Sequence, residues 1–339
     1  MLEKPDIPNS QISSCLLDEY GLDGGQVTFL PLGYDINTAV YRVDAPDGTS
    51  YFLKLRKGHF EPITVSLPQF LNRHGVTAII TPLETLHSRL YGALGQYTTI
   101  LYPFIPGKNG YEVELSDPQW VSLGHAFKMF HSAVVPSHLA QHIPRESYNP
   151  HWRDLTRQFL ALIDHGTFDE PIAGKLAAFM KMKKKEILHM VDRAQALAQS
   201  LREQHTAFVL CHSDAHPGNY LVAETGEVYL VDWDNPCFAP KERDLMCIGG
   251  GMSGDQPGGS QESLFYQGYG PVEINQQALA YYRYELIIQD IAEFCKDILL
   301  TRAGGEDRAQ SYQYFVNSFQ PGSVLDAALQ TDQRLSLNQ

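Results

Sequence analysis

The sequence is poor in the features that would make it a disulfide-framed, membrane-bound or nucleic-acid-binding protein. Its five cysteines are Cys15, Cys211, Cys237, Cys247 and Cys295. No two form a Cys-x-x-Cys pair, and an odd number suits reduced thiols better than a disulfide frame. Cys211 adjoins His212, but a thiol nucleophile needs its base beside it in space rather than in sequence, so Cys211 reads as a packed strand residue. No apolar run approaches the roughly 18 residues of a membrane span. The first residues, with Glu3, Lys4 and Asp6, lack the apolar core of a signal peptide, and a cytoplasmic location is expected. Basic residues number 26 against 39 acidic, a formal charge of −13. That balance excludes nucleic acid or an anionic membrane as main partner and welcomes a cationic small molecule. The excess is concentrated between Asp232 and Asp297, where 11 acidic and 4 basic residues leave −7. The basic run Lys181–Lys185 has no interleaved aromatics and reads as a solvated helix face. Internal repeats and low-complexity tails are also missing, and the stretch Gly33–Thr38 carries no Gly-x-Gly-x-x-Gly motif.

What is present is a dense cluster of polar residues late in the chain. An apolar run, Phe208-Val-Leu-Cys211, leads into His212-Ser-Asp-Ala-His-Pro-Gly-Asn219. Tyr220 to Ala223 reads as a strand, Glu224-Thr-Gly-Glu227 as a turn and Val228 to Val231 as the returning strand. Such a hairpin would return Asp232 beside Asn219. A carboxylate, an amide and a second carboxylate gathered in this way suit phosphoryl transfer. One Asp positions and deprotonates the attacking hydroxyl, while Asn and the other Asp hold Mg²⁺ against the nucleotide phosphates. His212, Asp214 and Asn219 match the His-x-Asp-x-x-x-x-Asn spacing of kinase catalytic loops. His212-x-Asp-x-His216 is also a conceivable transition-metal chelate, but a metallohydrolase reading leaves Asn219 and Asp232 unexplained.

With 339 residues, 43% of them apolar, there is material for one large domain or two lobes. Pro8 to Tyr20 predicts a short amphipathic helix. Val27–Pro31, Ala39–Val43 and Ser50–Leu55 predict an antiparallel meander, with Lys54 inside the third strand where it would face the α- and β-phosphates. The connection Gly33–Thr38 sits where a phosphate-covering loop belongs. A helix from Glu61 to His74, bent at Pro68, would carry an acidic partner for Lys54, but Glu61 precedes Pro62 and its pairing is open. Ala78–Ile80 and Tyr97–Tyr102 predict two further strands. Pro103-Phe-Ile-Pro-Gly107 then breaks the sheet, placing a boundary near Ile105: a nucleotide lobe over 1–105 and a helical catalytic lobe over 106–339. Helices are predicted from Ser116, capped by Ser-Asp-Pro, over Trp152–Ile163, over Pro171–Gln204, from Ala239, over Gln276–Arg302 and over Arg308–Phe319. Gly249–Gly259 predicts a glycine-rich loop, and Asp290, Glu293 and Asp297 form one acidic stripe.

Along essentially its whole length the chain resembles the aminoglycoside phosphotransferase family, whose fold is protein-kinase-like, and within it the bacterial spectinomycin branch. Ser213, Trp233 and Asp234 stand where protein kinases carry other residues. The segments that carry the resemblance are Tyr51-Phe-Leu-Lys54, Tyr102-Pro-Phe-Ile105, Leu210–Asn219, Val231-Asp-Trp-Asp-Asn-Pro236, Ala239–Gly251, Phe265-Tyr-Gln-Gly-Tyr-Gly270 and Tyr281-Tyr-Arg-Tyr-Glu285. The resemblance implies an α+β bilobal fold, with a small antiparallel-sheet N-lobe and a larger, mainly helical C-lobe. It implies Asp214 as catalytic base, Asn219 and Asp232 as magnesium ligands, Lys54 as phosphate clamp, and Pro103 and Ile105 as backbone contacts to adenine. For Asp234 and Asp244 it leaves loop support and substrate contact equally open. ATP and Mg²⁺ are the cofactors implied, a hydroxyl of a cationic aminocyclitol such as spectinomycin the acceptor, and a monomer the expected state. Choline, homoserine or a ketosamine as acceptor, or a nucleotide-binding module without catalysis, are the alternatives.

Overall fold

A computed structural model of the protein describes residues 4–33, 37–249, 259–301 and 307–337. Most of the predicted loop Gly249–Gly259 and the middle of Gly33–Thr38 lie outside them. The first elements are α1 (Asn9–Tyr20), β1 (Gln26–Leu30), β2 (Thr38–Asp44), β3 (Ser50–Lys57), α2 (Ile63–Arg73), β4 (Gly92–Leu94), β5 (Tyr97–Pro103) and β6 (Gly107–Asn109). Then come α3 (Asp117–His131), α4 (Ser137–Ala140), α5 (His151–His165), α6 (Pro171–Glu203), β7 (Val209–Cys211), β8 (Tyr220–Ala223), β9 (Val228–Leu230) and β10 (Cys237–Ala239). The chain closes with α7 (Glu242–Leu245), α8 (Ser260–Tyr269), α9 (Gln276–Leu299), α10 (Asp307–Asn317) and α11 (Val324–Leu337). This is a mixed α+β chain with an antiparallel N-terminal sheet and a helical C-terminal part.

The chain divides into two compact units, each discontinuous in sequence. The first comprises Met1–Glu114, Ala133–Ile143 and Gly218–Pro236. Its five-stranded sheet runs β1-β2-β3-β5-β4, and a three-stranded sheet runs β6-β8-β9. The pairing of β6 with β8, Gly107 opposite Ala223 and Asn109 opposite Leu221, draws the hairpin into this unit beyond the sequence boundary at Ile105. Alternation along β3 sorts its side chains. Leu53 and Leu55 join Tyr41, Val43, Ile12, Leu16 and Leu101 in the core, while Lys54 and Arg56 take the opposite face. Helix α1 ends in a left-handed Gly21 (φ 69°), with Gly21 and Leu22 amides donating to the Leu17 and Leu16 carbonyls.

The second unit holds Leu115–Ser132, Pro144–Pro217 and Cys237–Gln339. Its core is built on α9, whose Ala278, Tyr284, Ile288 and Cys295 are fully buried among residues of α5, α6 and α11. Local signals set the helix starts. Ser116 and Gln119 form a capping box on α3, Glu170 accepts from the Ile172 and Ala173 amides on α6, and Asn275 caps α9. Helices α3 and α8 approach until only glycine fits: a Cβ on Gly124 would lie 2.0 Å from the Phe265 carbonyl oxygen, and one on Gly268 1.9 Å from that of Val121. Arg153 is fully buried. It donates to Gln195 Oε1 at 3.0 Å and the Tyr148 carbonyl at 2.9 Å, and pairs with Glu285.

Several predicted elements differ. Ala78–Ile80 is not a strand; the Ala78 carbonyl accepts one bond, from the Leu230 amide at 2.8 Å, and no ladder follows. Helix α2 begins at Ile63 rather than Glu61 and contains Pro68. The helix predicted from Ala239 begins at Glu242, because Cys237–Ala239 pairs with Val209–Cys211 and Pro240 has no N–H to offer a helix turn. The short strands β4, β6 and β10 and the helices α8 and α11 were not predicted as elements. All five cysteines are free. Among the described residues no helix is long and apolar enough to cross a membrane.

Candidate active site

In the first unit, β8 and β9 pair with Tyr220 opposite Leu230 and Val222 opposite Val228. The Val231 amide donates to the Asn219 carbonyl at 3.0 Å, which brings Asn219 and Asp232 to one end of the hairpin. Asn219 is buried. Asp232 has φ 64°, a left-handed conformation that Asp tolerates better than most residues and that costs energy where it persists. The turn is pinned next door by the buried Trp233, whose Nε1 donates to the Leu230 carbonyl at 3.1 Å.

Lys54 reaches this turn from β3. Its Nζ lies 3.1 Å from Asp232 Oδ1 and 2.8 Å from Asp234 Oδ2, and Arg56 Nη1 meets the same Asp234 oxygen at 2.6 Å. Burial alone would depress the Lys54 ammonium, but the two carboxylates more than offset it and hold Lys54 above its ordinary range. Burial likewise pushes the neighbouring Tyr102 phenol up, with Lys54 opposing. Glu61 settles the open question of the Lys54 partner negatively: it contacts His59. Arg56 was not singled out from the sequence, since an exposed-face arginine two residues from Lys54 carries no motif of its own.

At the proposed hinge, β5 ends with Pro103 opposite Tyr51. The Phe104 amide donates to the Ser50 carbonyl at 3.1 Å. The Ile105 amide has no backbone partner among the described residues.

In the second unit, β7 delivers the chain to Asp214. His212 is fully buried, and its Nδ1 accepts from the Asp214 amide at 3.3 Å. Ser213, at φ 73°, is a strained non-glycine turn. The Asp214 carboxylate is 43% exposed, with His216 Nε2 3.6 Å from its Oδ1. Asp244 secures the loop from beneath: its Oδ2 accepts from the His212 amide at 2.8 Å and its Oδ1 from the Ser213 amide at 2.7 Å. His131 Nε2 lies 3.0 Å from Asp244 Oδ2, and its Nδ1 is 2.8 Å from the Tyr269 hydroxyl. Burial would raise the Asp244 carboxyl, but His131, His212 and the Ser213 amide outweigh it and hold it low. Asp290 on α9 is pushed up to about 7, by burial first and then by the Glu293 and Asp214 charges.

A transition-metal chelate at His212, Asp214 and His216 finds no support. Among the described residues the metal-capable cluster is His131, Cys211 and Asp244. Its donors are committed to hydrogen bonds, Cys211 Sγ to the Ala239 and Pro240 carbonyls included. Asn219 and Asp232, at one end of a hairpin, carry an amide and a carboxylate, hard-oxygen groups of the kind Mg²⁺ accepts.

The sequence model of the phosphotransferase enzyme family matches residues 28–282. The chain belongs to the phosphotransferase enzyme family. Spectinomycin phosphotransferase APH(9)-Ia, in complex with ADP and spectinomycin, superposes on this phosphotransferase with a TM-score of 0.91 at 34% identity, over 97% of this chain and 100% of that one. The AMP-bound form of the same enzyme superposes at 0.85, with 34% identity over 94% and 98% of the two chains. An aminoglycoside phosphotransferase from Alicyclobacillus acidocaldarius shares the fold, at TM-score 0.59 and 14% identity over 98% of each chain. No curated protein sequence matches. The family membership and the fold make this phosphotransferase a kinase.

Proposed function

We propose that the chain is an ATP-dependent O-phosphotransferase whose acceptor is a hydroxyl of a cationic aminocyclitol, with spectinomycin favoured, and that it confers resistance to that antibiotic. The observation carrying this reading is the 34% identity over 97% of the chain with an enzyme bound to ADP and spectinomycin. In this reading residues 1–105 hold the nucleotide, with the Pro103 and Ile105 backbone against adenine and Lys54 against the phosphates. Residues 106–339 supply the acceptor site and Asp214, which orients the hydroxyl and accepts its proton. Magnesium held by Asn219 and Asp232 would neutralise phosphate charge. Most of the acceleration comes from alignment and charge stabilisation, with no covalent intermediate on the protein. The acidic stripe on α9, Asp290, Glu293 and Asp297, favours an acceptor bearing amines, as does the −13 charge.

The test is coupled ADP release with Mg·ATP and spectinomycin, kanamycin, streptomycin or no acceptor. Turnover is expected with spectinomycin. Asp214→Asn should lose about 10²–10⁴-fold in kcat, the usual weight of a positioned general base, with ADP affinity unchanged. Equal turnover in the variant would remove Asp214 from the mechanism. Turnover with choline or another amine metabolite, and none with the antibiotics, would keep the chemistry and reassign the acceptor.

A further inference from the structure

Lys54 and Arg56 stand two residues apart on one face of β3 and converge on a single carboxylate oxygen, Asp234 Oδ2, at 2.8 and 2.6 Å. Lys54 is shared with Asp232 at 3.1 Å. The two acids differ in setting: the Asp232 side chain is 47% exposed and that of Asp234 is 23% exposed. The helix that follows β3 contributes no acid to this group, because Glu61 is engaged by His59 at the surface. Both of these acids therefore come from the segment after β9, two residues apart.

We propose that Asp234 is the positioning residue for Lys54 and Arg56, a fixed counter-charge that lets Lys54 release Asp232 to the metal of the incoming nucleotide. The proposal rests on the nucleotide-binding reading above. Its logic is charge balance within one cluster. With two cations and two carboxylates, Lys54 can give up Asp232 and still keep a carboxylate at 2.8 Å. With Asp234 neutralised, Asp232 is the remaining acid for Lys54, so the ammonium and the metal compete for one carboxylate. The same change leaves the cluster one charge more positive, which favours a bare phosphate anion. Removal of Asp234 should therefore act in opposite directions on metal-free and metal-loaded nucleotide. A residue that merely braced the loop would weaken both together.

The experiment is calorimetric titration of the full chain with ADP, without metal and across a magnesium series, for wild type, Asp234→Asn, Asp234→Glu and Glu61→Gln. For Asp234→Asn, the magnesium concentration giving half-maximal enhancement of ADP binding should rise about tenfold, the scale of one partly exposed charge-assisted contact. Metal-free ADP should bind about threefold tighter, from the added positive charge. Asp234→Glu should restore most of the magnesium response, and Glu61→Gln should match wild type. Parallel weakening of both titrations in Asp234→Asn, or a magnesium shift in Glu61→Gln, would overturn the proposal. Wild-type binding of ADP with an unshifted Asp234→Asn would sink the positioning role alone. Wild type that binds no ADP would sink the nucleotide reading and this role with it.

Discussion

Replacing Asp244 should be among the costliest single changes to the second unit. The side chain is fully buried and touches no solvent. It accepts from two successive backbone amides, at 2.8 Å from His212 and 2.7 Å from Ser213, and pairs with His131 at 3.0 Å. Asp244→Ala leaves two buried amides without their acceptor, at about 1–3 kcal/mol each. It also leaves the buried His131 Nε2 without its carboxylate acceptor, at about 1–3 kcal/mol. These contributions overlap, since the same carboxylate serves all three donors, so the expected loss is about 3–5 kcal/mol, toward the low end of their sum. In wild type the contribution is complete above the ordinary carboxyl value of 3.8 and is lost as pH falls through the lower folded value. The comparison therefore belongs at pH 7, by urea unfolding followed by tryptophan fluorescence, with amide exchange read at His212 and Ser213. Both amides should exchange faster, because the bonds that hold Ser213 at φ 73° are gone. Asp244→Asn should fall between the two, since its amide keeps one acceptor oxygen and turns an NH₂ toward a donor. A loss below about 1 kcal/mol in the alanine variant, the net worth of one ordinary hydrogen bond, would refute this account of the loop.

Two other changes probe the second unit. Asp290 holds its proton more tightly in the folded chain, at about 7 against an ordinary 3.8, so wild-type stability should fall as pH rises through that window. Asp290→Asn should remove this fall, melting above wild type at pH 8 with the gap closing toward pH 4; parallel melting curves against pH would contradict it. Gly268→Ala places a methyl 1.9 Å from the Val121 carbonyl oxygen, and the helices must part to admit it. An expected loss of about 1–3 kcal/mol, the range for overpacking, is measurable by urea unfolding, and an unchanged midpoint would show that α3 and α8 separate freely.

Features written in consecutive residues were the legible ones. The loop from His212 to Asn219, the hairpin behind it and the alternation that turns Lys54 away from the sheet's core each lie within a dozen residues. Asp234, by contrast, meets Lys54 across 180 positions, and nothing local distinguishes a carboxylate that will find two cations from one that will face water. Asp244 lies 31 residues beyond Ser213, and its role follows only once α7 is folded under the loop. Glu61 was offered as a partner by its place after β3, yet His59 is two residues away and reaches it first. Ala78–Ile80 had the composition of a strand but meets β9 through one bond. The strands β4, β6 and β10 span three residues each, too few for a period to register. Positive φ at Ser213 gives no sign in the sequence, because serine is not a residue that seeks that region.

The ladder between β6 and β8 fixes a length as well as a sheet. Gly107 follows Ile105 by two residues, and a Cβ there would lie 2.4 Å from the Val222 carbonyl oxygen, so the two backbones run as close as backbones can. Val222 in turn is three residues past Asn219 on the strand that leads to the turn at Asp232. The segment proposed to read adenine and the residues proposed to hold the metal at the phosphates are thus ruled off on one rigid scale. Its divisions are hydrogen-bonded residues rather than side chains. An acceptor site can be rebuilt for a new alcohol without disturbing that scale, so long as the glycine stays.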